Sequence, residues 1–288
     1  MKYAFIDENC KELPVKLMCL ELGISRARYY AYKKEPISLH SRADLTLRQQ
    51  IVRITAMHRW APGALKTWKL LNAQGIRCGK HRVARLRKLE GIKASRTRKF
   101  RVMQAKDRSQ PPAPDLVKRG FRVDSPNRIW VGDMTCIRTR EGWLHLAIVL
   151  DLFARRIVGW ATGTTQVVAL PTAAMRMAIV QRKPESGLIF HSDQGSAYSA
   201  AIYRELLAEH GVQPSMSRKG NCHDNAVAES FFSNLKNEAM QDRFFATREE
   251  AKAIISDYIE VYYNRERVHQ TLDYQTPEQV EARFRVLQ

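Results

Sequence analysis

Residues 129–137 read IWVGDMTCI, an apolar and β-branched run that carries a single carboxylate, Asp133. This composition predicts a β-strand in the interior of a sheet. Residues 143–150 form a nearly continuous apolar run, which is typical of a central strand buried on both faces. Residues 156–162 predict a third strand after a short connection, so the sheet should begin with three antiparallel strands.

The segment that follows alternates between helical and strand patterns. The predicted elements are a helix at 170–182, a strand at 188–190, a helix at 199–210, an edge strand at 212–217 and a long helix at 224–240. The resulting order, βββαβαβα, is that of the ribonuclease-H-like arrangement. The predicted fold class of this region is therefore α/β, with a ribonuclease-H-like core.

Three carboxylates occupy positions where such a sheet gathers ligands. Asp133 lies in the central strand, Asp193 ends the fourth strand, and Glu229 follows on the long helix with 35 residues between it and Asp193. Three carboxylates that meet there can hold two divalent cations about 3.5–4 Å apart and promote in-line attack on a phosphodiester. Because carboxylate oxygens select hard ions, we expect two Mg²⁺ or Mn²⁺ ions.

The long helix has two distinct faces. Its apolar stripe consists of Val227, Phe231 and Leu235, spaced four residues apart. Its polar face is predicted to carry Asn225, Glu229, Ser233 and Lys236. Lys236 lies seven residues beyond Glu229, about two helical turns. Lys236 and Asn225 are therefore candidate contacts to DNA beside the metals.

The positive charge of the chain is concentrated in its first part. Residues 1–128 contain 30 Lys and Arg against 10 Asp and Glu, whereas residues 129–288 contain 18 against 19. A basic module joined to a nearly neutral one suggests a polyanion-binding region attached to a part with another task. The alternative is a cationic surface that serves solubility alone.

The basic part has a helical pattern. Residues 11–22 form an amphipathic stretch, Gly23 breaks it, and Ser25 can cap a second helix. Further helices are predicted at 45–57, 64–73 and 81–90. These patterns divide the chain into a helical module at 1–40, a helix-turn-helix-like DNA-binding domain at 41–100, a basic Pro-rich linker at 101–123, and a catalytic core with a C-terminal helical extension at 124–285.

The helix at 81–90 is the candidate recognition helix. Val83, Leu86 and Leu89 or Glu90 mark its inner side. The residues predicted to face outward, towards a DNA major groove, are Arg82, Arg85, Arg87 and Lys88. The alternative for this weakly specific pattern is a solvated basic helix in a three-helix bundle.

Cysteine usage and hydropathy indicate the compartment. The five cysteines are scattered and contain no Cys-x-x-Cys pair, which argues for a reduced intracellular protein and against a zinc finger. No apolar run approaches the roughly 18 residues needed to cross a membrane. We expect a cytoplasmic protein without a membrane partner.

Four sequence blocks resemble a known family. They read WVGDMT at 130–135, HSDQGSAY at 191–198, GNCHDNAVAESFF at 220–232 and YNRERVHQTLDYQTP at 263–277. Over nearly the whole chain, the sequence is similar to the second-reading-frame (OrfB) transposases of the IS-three group. It departs from their pattern at Asp273, where the family more often has Gly, and at residues 61–64, where an aromatic-Gly-aromatic-Arg run is usual.

The resemblance implies a DDE transposase with a retroviral-integrase-type catalytic core. It implies that Asp133, Asp193 and Glu229 bind the metals and that Lys236 contacts transposon-end DNA. The expected DNA partners are double-stranded terminal inverted repeats and target DNA, bound by a homo-oligomer. An upstream-frame (OrfA) protein is a further expected partner. Two alternatives remain: a nuclease of the same fold without strand transfer, and a DNA-binding regulator active only with a partner.

Overall fold

The computed structural model describes residues 2–35, 39–94, 112–118, 120, 123–217, 225–240 and 243–286. Contacts within the chain divide it into two compact units. The first comprises Met1–Met57 with Gly63–Lys93, and the second His58–Pro62 with Ala94–Gln288. Most of the predicted linker at 101–123 and the start of the predicted helix at 224–240 lie outside the described residues. Within the described ranges, no helix has both the length and the apolar character needed to cross a bilayer.

The first unit is helical. Its described helices are α1 (Lys2–Asn9), α2 (Val15–Glu21), α3 (Arg26–Lys34), α4 (Leu39–Met57), α5 (Ala64–Ala73) and α6 (Lys80–Leu89). Ser25 caps α3 as predicted, because its side chain accepts a hydrogen bond from the backbone N–H of Arg28. The predicted helix at 11–22 begins only at Val15, after Pro14 at the N-cap position, and α1 was not predicted.

Arg87 on α6 does not face outward, so that prediction is wrong. Its side chain is buried, and its guanidinium donates to the hydroxyl oxygens of Thr55 and Thr67 at 3.1 and 2.8 Å. These two hydroxyls, on α4 and α5, accept hydrogen bonds that the guanidinium would otherwise donate to water. Burial lowers the pKa of Arg87. Leu89, a candidate for the inner side, is instead 62% exposed.

The second unit is built on a five-stranded sheet. Its strands are β1 (Ile129–Thr139), β2 (Gly142–Asp151), β3 (Arg156–Gly163), β4 (Ile189–Ser192) and β5 (Gln213–Met216). They lie in the order β3-β2-β1-β4-β5. Strand β1 pairs antiparallel with β2, and β2 with β3, whereas β4 is parallel to β1 and to β5. The predicted ribonuclease-H-like arrangement is confirmed, with β1 at the centre and β5 at an edge.

Helices cover both faces of this sheet. One core cluster joins Val131, Ile148 and other β1–β2 side chains to α10 (Ala226–Leu235) and α11 (Arg248–Asp257). The other joins Trp130 and Val149 to α7 (Ala169–Arg182) and α9 (Ala201–Glu209). Alternate residues of a strand point to opposite faces, so each central strand supplies apolar side chains to both clusters.

One predicted helix is confirmed and another is divided in the structure. The helix expected at 199–210 is α9, and a short α8 (Ser196–Ser199) that was not predicted precedes it. The helix expected at 224–240 consists of α10 and a π-helical turn, Lys236–Met240. The remaining elements are a π-helix at Tyr258–Glu266, a 3₁₀ turn at Gln270–Leu272 and α12 (Pro277–Val286).

Polar side chains of the C-terminal elements tie them to the sheet and to the π-helical turn. The Asn264 side chain accepts from the N–H of Ile157 on β3 and donates to its carbonyl, both at 3.0 Å. Arg267 donates to both carboxylate oxygens of Glu238, at 2.8 and 2.9 Å, and the Tyr258 hydroxyl donates to one of them at 2.9 Å. Since all of these side chains are buried, the pairing satisfies groups that would be costly alone.

Gly159 allows α7 to approach β3 closely, and its replacement should be destabilising. A Cβ atom there would lie 2.2 Å from the carbonyl oxygen of Ala174, a backbone atom that cannot move unless α7 shifts. We expect Gly159→Ala to lower the free energy of unfolding by about 1–3 kcal/mol, measured by urea denaturation. Gly163→Ala is the control in the same strand, because its Cβ would lie 3.3 Å from a side-chain methyl of Leu170 and 3.6 Å from the carbonyl oxygen of Thr165, an ordinary contact distance. Equal stability of the two variants would contradict this account.

Candidate active site

Asp133 lies in the middle of the central strand. It pairs across the sheet with Ile148 on β2, and its side chain is half-buried. Its Oδ1 accepts a hydrogen bond from the backbone N–H of Met134 at 2.7 Å. Next to it, Gly132 permits a close contact, since a Cβ there would lie 2.3 Å from the ring of Phe190. The pairing of β1 with β2 and the close packing of Gly132 against Phe190 hold the backbone next to Asp133, and the Met134 N–H orients its carboxylate.

Asp193 directly follows the end of β4, the strand that pairs with β1. In the parallel pairing of β1 with β4, Val131 is opposite His191, and two residues further along each chain come Asp133 and Asp193. Oδ1 of Asp193 accepts from the N–H of Gly195 at 3.0 Å. Burial raises the pKa of Asp193, and the hydrogen bond from Gly195 partly opposes that rise.

Glu229 reaches the same region from α10. Phe231 and Leu235 are buried in the core beneath this helix, and Val227 packs at its edge, as the apolar stripe predicts. Glu229 itself is exposed. A helix packed through its apolar stripe thus presents a carboxylate on its other side.

The pKa of Asp133 responds to neighbouring charged groups. Burial raises this pKa well above the usual range, and the negative charges of Asp193 and Glu229 raise it further. The Met134 N–H and the positive charge of Lys236 act in the opposite direction. Asp193, Glu229 and Lys236 are therefore each close enough to Asp133 to influence its pKa.

The donor set suits a hard divalent cation. Among the described residues, no group of three His, Cys, Asp or Glu side chains is arranged to hold a metal ion. The fit of Asp133, Asp193 and Glu229 to a cation therefore rests on the chemistry of their oxygens. The hydrogen bonds that orient Asp133 and Asp193 use Oδ1, and among the described residues their Oδ2 atoms accept none. These carboxylate oxygens are the ligands that Mg²⁺ and Mn²⁺ prefer.

Asn225 does not share the exposed face of α10. It occupies the N-cap position, and its side chain is buried. Its Nδ2 donates to the carbonyl of Gly132 at 3.4 Å, and its Oδ1 has no hydrogen-bond partner in the described part of the chain. The helical periodicity that grouped it with Glu229 does not extend to a residue preceding the first turn, so Asn225 contacts the strand that carries Asp133.

Tyr198 is a site residue that sequence reasoning missed. Its ring is buried against Phe190, and its hydroxyl has no hydrogen-bond partner among the described residues. Burial raises its pKa well above the usual value, and the charges of Tyr203, Asp133 and Asp193 add to the shift. The sequence signal that could have identified Tyr198 is its position in the block at 191–198, five residues after Asp193. That position does not reveal where the side chain points.

The candidate DNA contacts Arg82, Arg85 and Lys88 belong to the helical unit and not to the carboxylate cluster. Arg85 and Arg82 donate to the two carboxylate oxygens of Asp44 at 2.6 and 2.7 Å. These hydrogen bonds, with that of Arg85 the stronger, lower the pKa of Asp44. Lys88 is exposed. The two arginines therefore share one neutralising partner on α4, while Lys88 extends into solvent.

Models of three protein families match the chain. Residues 123–222 and 210–277 match two models described as integrase core domain, and residues 42–100 match one described as HTH-like domain. The integrase matches cover Asp133, Asp193 and Glu229, and the HTH-like match covers α6.

Two curated relatives align over most of the chain. The insertion element IS600 uncharacterized 31 kDa protein of Shigella sonnei is 39% identical over 255 residues, 88% of this chain and 94% of its own length. The transposase InsF for insertion sequence IS3A of Escherichia coli K12 is 35% identical over 283 residues, 98% of each chain.

A solved structure is similar at lower identity. The HTLV-2 integrase catalytic core domain in complex with magnesium is 18% identical, with a TM-score of 0.42, and the match covers 54% of this chain and 96% of that one.

Proposed function

Because this chain belongs to the IS3-type transposases with an integrase core, we propose that Asp133, Asp193 and Glu229 are the carboxylates with which it performs DNA transposition. The observation that supports the assignment is the parallel pairing of β1 with β4, in which Val131 is opposite His191, so that Asp133 and Asp193 each follow the last paired residue by two positions. The influence of Glu229 on the pKa of Asp133 supports the third member.

The reaction has two phosphoryl-transfer steps of the same kind. Water attacks the phosphorus at a transposon end, the bond to the leaving 3′-oxygen breaks, and a 3′-hydroxyl is released. That hydroxyl then attacks a target phosphodiester, so one phosphodiester forms as another breaks. Two bound Mg²⁺ or Mn²⁺ ions would activate the attacking oxygen and stabilise the leaving one.

Other groups of the chain would orient the carboxylates and hold the DNA in this reaction. The N–H groups of Met134 and Gly195 hold one oxygen of each aspartate in place, so both carboxylates are oriented before substrate binds. Tyr198 packs against Phe190, and the charges of Asp133 and Asp193 influence its pKa. Lys236 offsets part of the negative charge near Asp133 and is positioned to hold a DNA phosphate. Asn225 is a positioning residue that links α10 to β1.

The helical unit supplies DNA recognition in this proposal. Its excess of Lys and Arg and the HTH-like match at 42–100 support binding of terminal inverted repeats through α6. Arg82, Arg85 and Lys88 are the candidate contacts, and the two arginines would leave Asp44 or share it on binding. Pairing of two transposon ends further requires a homo-oligomer, and an upstream-frame protein is a second expected partner.

Removal of divalent metal tests the mechanism. With a labelled terminal-repeat duplex, we expect no end cleavage in excess chelator and full recovery when Mg²⁺ or Mn²⁺ is restored, because three carboxylates cannot assemble around the scissile phosphate without cations. Joined target products separate transposition from simple nuclease activity, which would yield cleaved ends alone. Undiminished cleavage in metal-free chelator would exclude the proposed role of the triad.

A further inference from the structure

A concave surface lies at the tip of the β1–β2 hairpin, away from the carboxylates. Its volume is about 520 Å³, and it is lined by Arg138, Thr139, Arg140, Gly142, Trp143 and Phe244. We refer to it as the hairpin pocket. Arg138 lies five residues beyond Asp133 on β1, which corresponds to roughly 17 Å along the strand. An odd number of residues also places the two side chains on opposite faces of β1.

The strand register assembles one half of the hairpin pocket. Arg138 is directly opposite Trp143, so the guanidinium and the indole are cross-strand neighbours on one face. Arg140, the first residue of the turn after β1, also lines the pocket. The turn is held by the Thr139 hydroxyl, which donates to the carbonyl of Gly142 at 2.8 Å.

The segment before α11 supplies the other half. Phe245 is buried and pairs with Thr139, and its carbonyl accepts from the N–H of Arg140 at 3.0 Å. This pairing anchors the adjacent Phe244, whose ring centre lies 5.8 Å from the guanidinium of Arg138. The pocket is therefore bounded by two backbone-anchored segments that carry a cation–π contact between them.

The carboxylate of Glu141, the residue after Arg140 in the sequence, already accepts a hydrogen bond. Glu141 accepts a hydrogen bond from the backbone N–H of Arg248 at 2.8 Å, and the Arg248 side chain donates to the carbonyls of Glu141 and Trp143. Among the described residues that line the pocket, none is acidic. The surface therefore presents two guanidinium groups without a lining counter-charge.

Two exposed aromatic side chains also line the hairpin pocket. Trp143 is 51% exposed and Phe244 is 55% exposed. Arginines that bind phosphate, placed beside exposed aromatic faces on which bases stack, are the combination that binds single-stranded nucleic acid. A duplex offers its phosphates to such a surface but keeps its bases stacked within the helix, so the aromatic faces favour an unpaired strand.

We propose that the hairpin pocket binds a single strand of DNA, with phosphates on Arg138 and Arg140 and a base stacked on Trp143. This inference rests on the proposed function in that DNA is the substrate. The strand in question is one that becomes unpaired near a cleaved end or at the target. The pocket would hold it apart from the carboxylates, which are reserved for the reacting phosphodiester.

Photocrosslinking of the full-length chain tests the proposal. The probe is a single-stranded oligonucleotide containing 5-iodouracil, irradiated in chelator and followed by peptide mapping. We expect crosslinks at Trp143 or Phe244, retained in Trp143→Phe and reduced about ten-fold or more in Trp143→Ala. The double variant R138Q/R140Q should lower the yield similarly and reduce the salt dependence of single-strand binding by about 1.4 in log–log slope, as expected for two lost phosphate contacts.

A matched double variant controls for net charge. R176Q/R283Q removes two exposed arginines from α7 and α12 and should leave crosslink yield unchanged. Equal crosslinking of R138Q/R140Q and this control would overturn the proposal, as would equal crosslinking of a duplex at the pocket. A fall in molar mass of Trp143→Ala with unchanged crosslinking would identify the pocket as a contact with a second copy instead.

Different experimental results would overturn this inference and the proposed function. The crosslinking requires no cleavage, so the same preparation is assayed for end cleavage with Mg²⁺. Normal cleavage without crosslinks at the pocket would overturn the inference alone. Crosslinks at the pocket without any cleavage would leave the inference standing and count against the catalytic assignment.

Discussion

Glu229→Gln is expected to reduce end cleavage and strand transfer by roughly 10²–10³-fold or more, the scale of losing one group that stabilises transition-state charge. The substitution keeps size and helix propensity but removes the charge that would hold a metal. Glu229 is exposed on α10, and the helix packs through Phe231 and Leu235, so the fold should be retained. Thermal melting should change little or rise slightly without metal, because one repulsive charge near Asp133 is removed.

Three comparisons sharpen this test. Glu249→Gln makes the same exchange at an exposed helical site on α11 and should leave cleavage unchanged. Lys236→Ala should stay folded but bind the correct DNA end less tightly or less selectively. Binding of Glu229→Gln to the terminal repeat, measured by gel shift, should match that of the unmodified chain. Near-normal cleavage by Glu229→Gln would remove Glu229 from the triad.

The largest loss of stability is expected for Arg267→Met. Burial alone would lower the pKa of Arg267, but the charge of Glu238 and its hydrogen bonds outweigh that effect, and the pKa is raised. The variant leaves Glu238 buried without a counter-charge, which should lower the free energy of unfolding by about 3–5 kcal/mol in urea denaturation.

A double-mutant cycle isolates the ion pair from packing. Glu238→Gln combined with Arg267→Met removes both charges while Gln can still accept from the Tyr258 hydroxyl. We expect the double variant to be clearly more stable than the sum of the two single losses predicts. Additive losses, or an Arg267→Met variant within about 1 kcal/mol of the unmodified chain, would show that the pair contributes little.

The sheet could be predicted because its local patterns are strong. The apolar runs at 129–137 and 143–150 and the spacing of later elements predict the five strands and their order along the chain, with β5 at an edge of the sheet. Helix ends were less predictable, since Pro14 delays α2 and the hydrogen-bond pattern changes at Lys236. Such changes depend on tertiary contacts and not on periodicity.

The positions of the proposed site residues in the fold were predictable where the backbone determines them, and not where long side chains form unexpected contacts. The placement of Asp133 and Asp193 at β1 and β4 follows from the strand patterns, and that of Glu229 on α10 from the apolar stripe of the helix. Arg87 was assigned to the surface because a basic helix normally keeps its charges in water, yet two threonine hydroxyls bury it. The hairpin pocket also escaped prediction, because Phe244 joins Arg138 and Trp143 only through the pairing of Phe245 with Thr139.

The position of β1 between an antiparallel and a parallel neighbour has a consequence for how the chain acquires activity. The β1–β2–β3 meander needs only short loops, whereas pairing of β1 with β4 must wait for the α7 crossover to close. Synthesis supplies the carboxylates in the order 133, 193, 229, so the third emerges only after the meander and both parallel strands. We therefore expect the proposed carboxylate site to form late in folding. An incomplete nascent chain could contain the β1–β2–β3 meander but would have no nuclease activity.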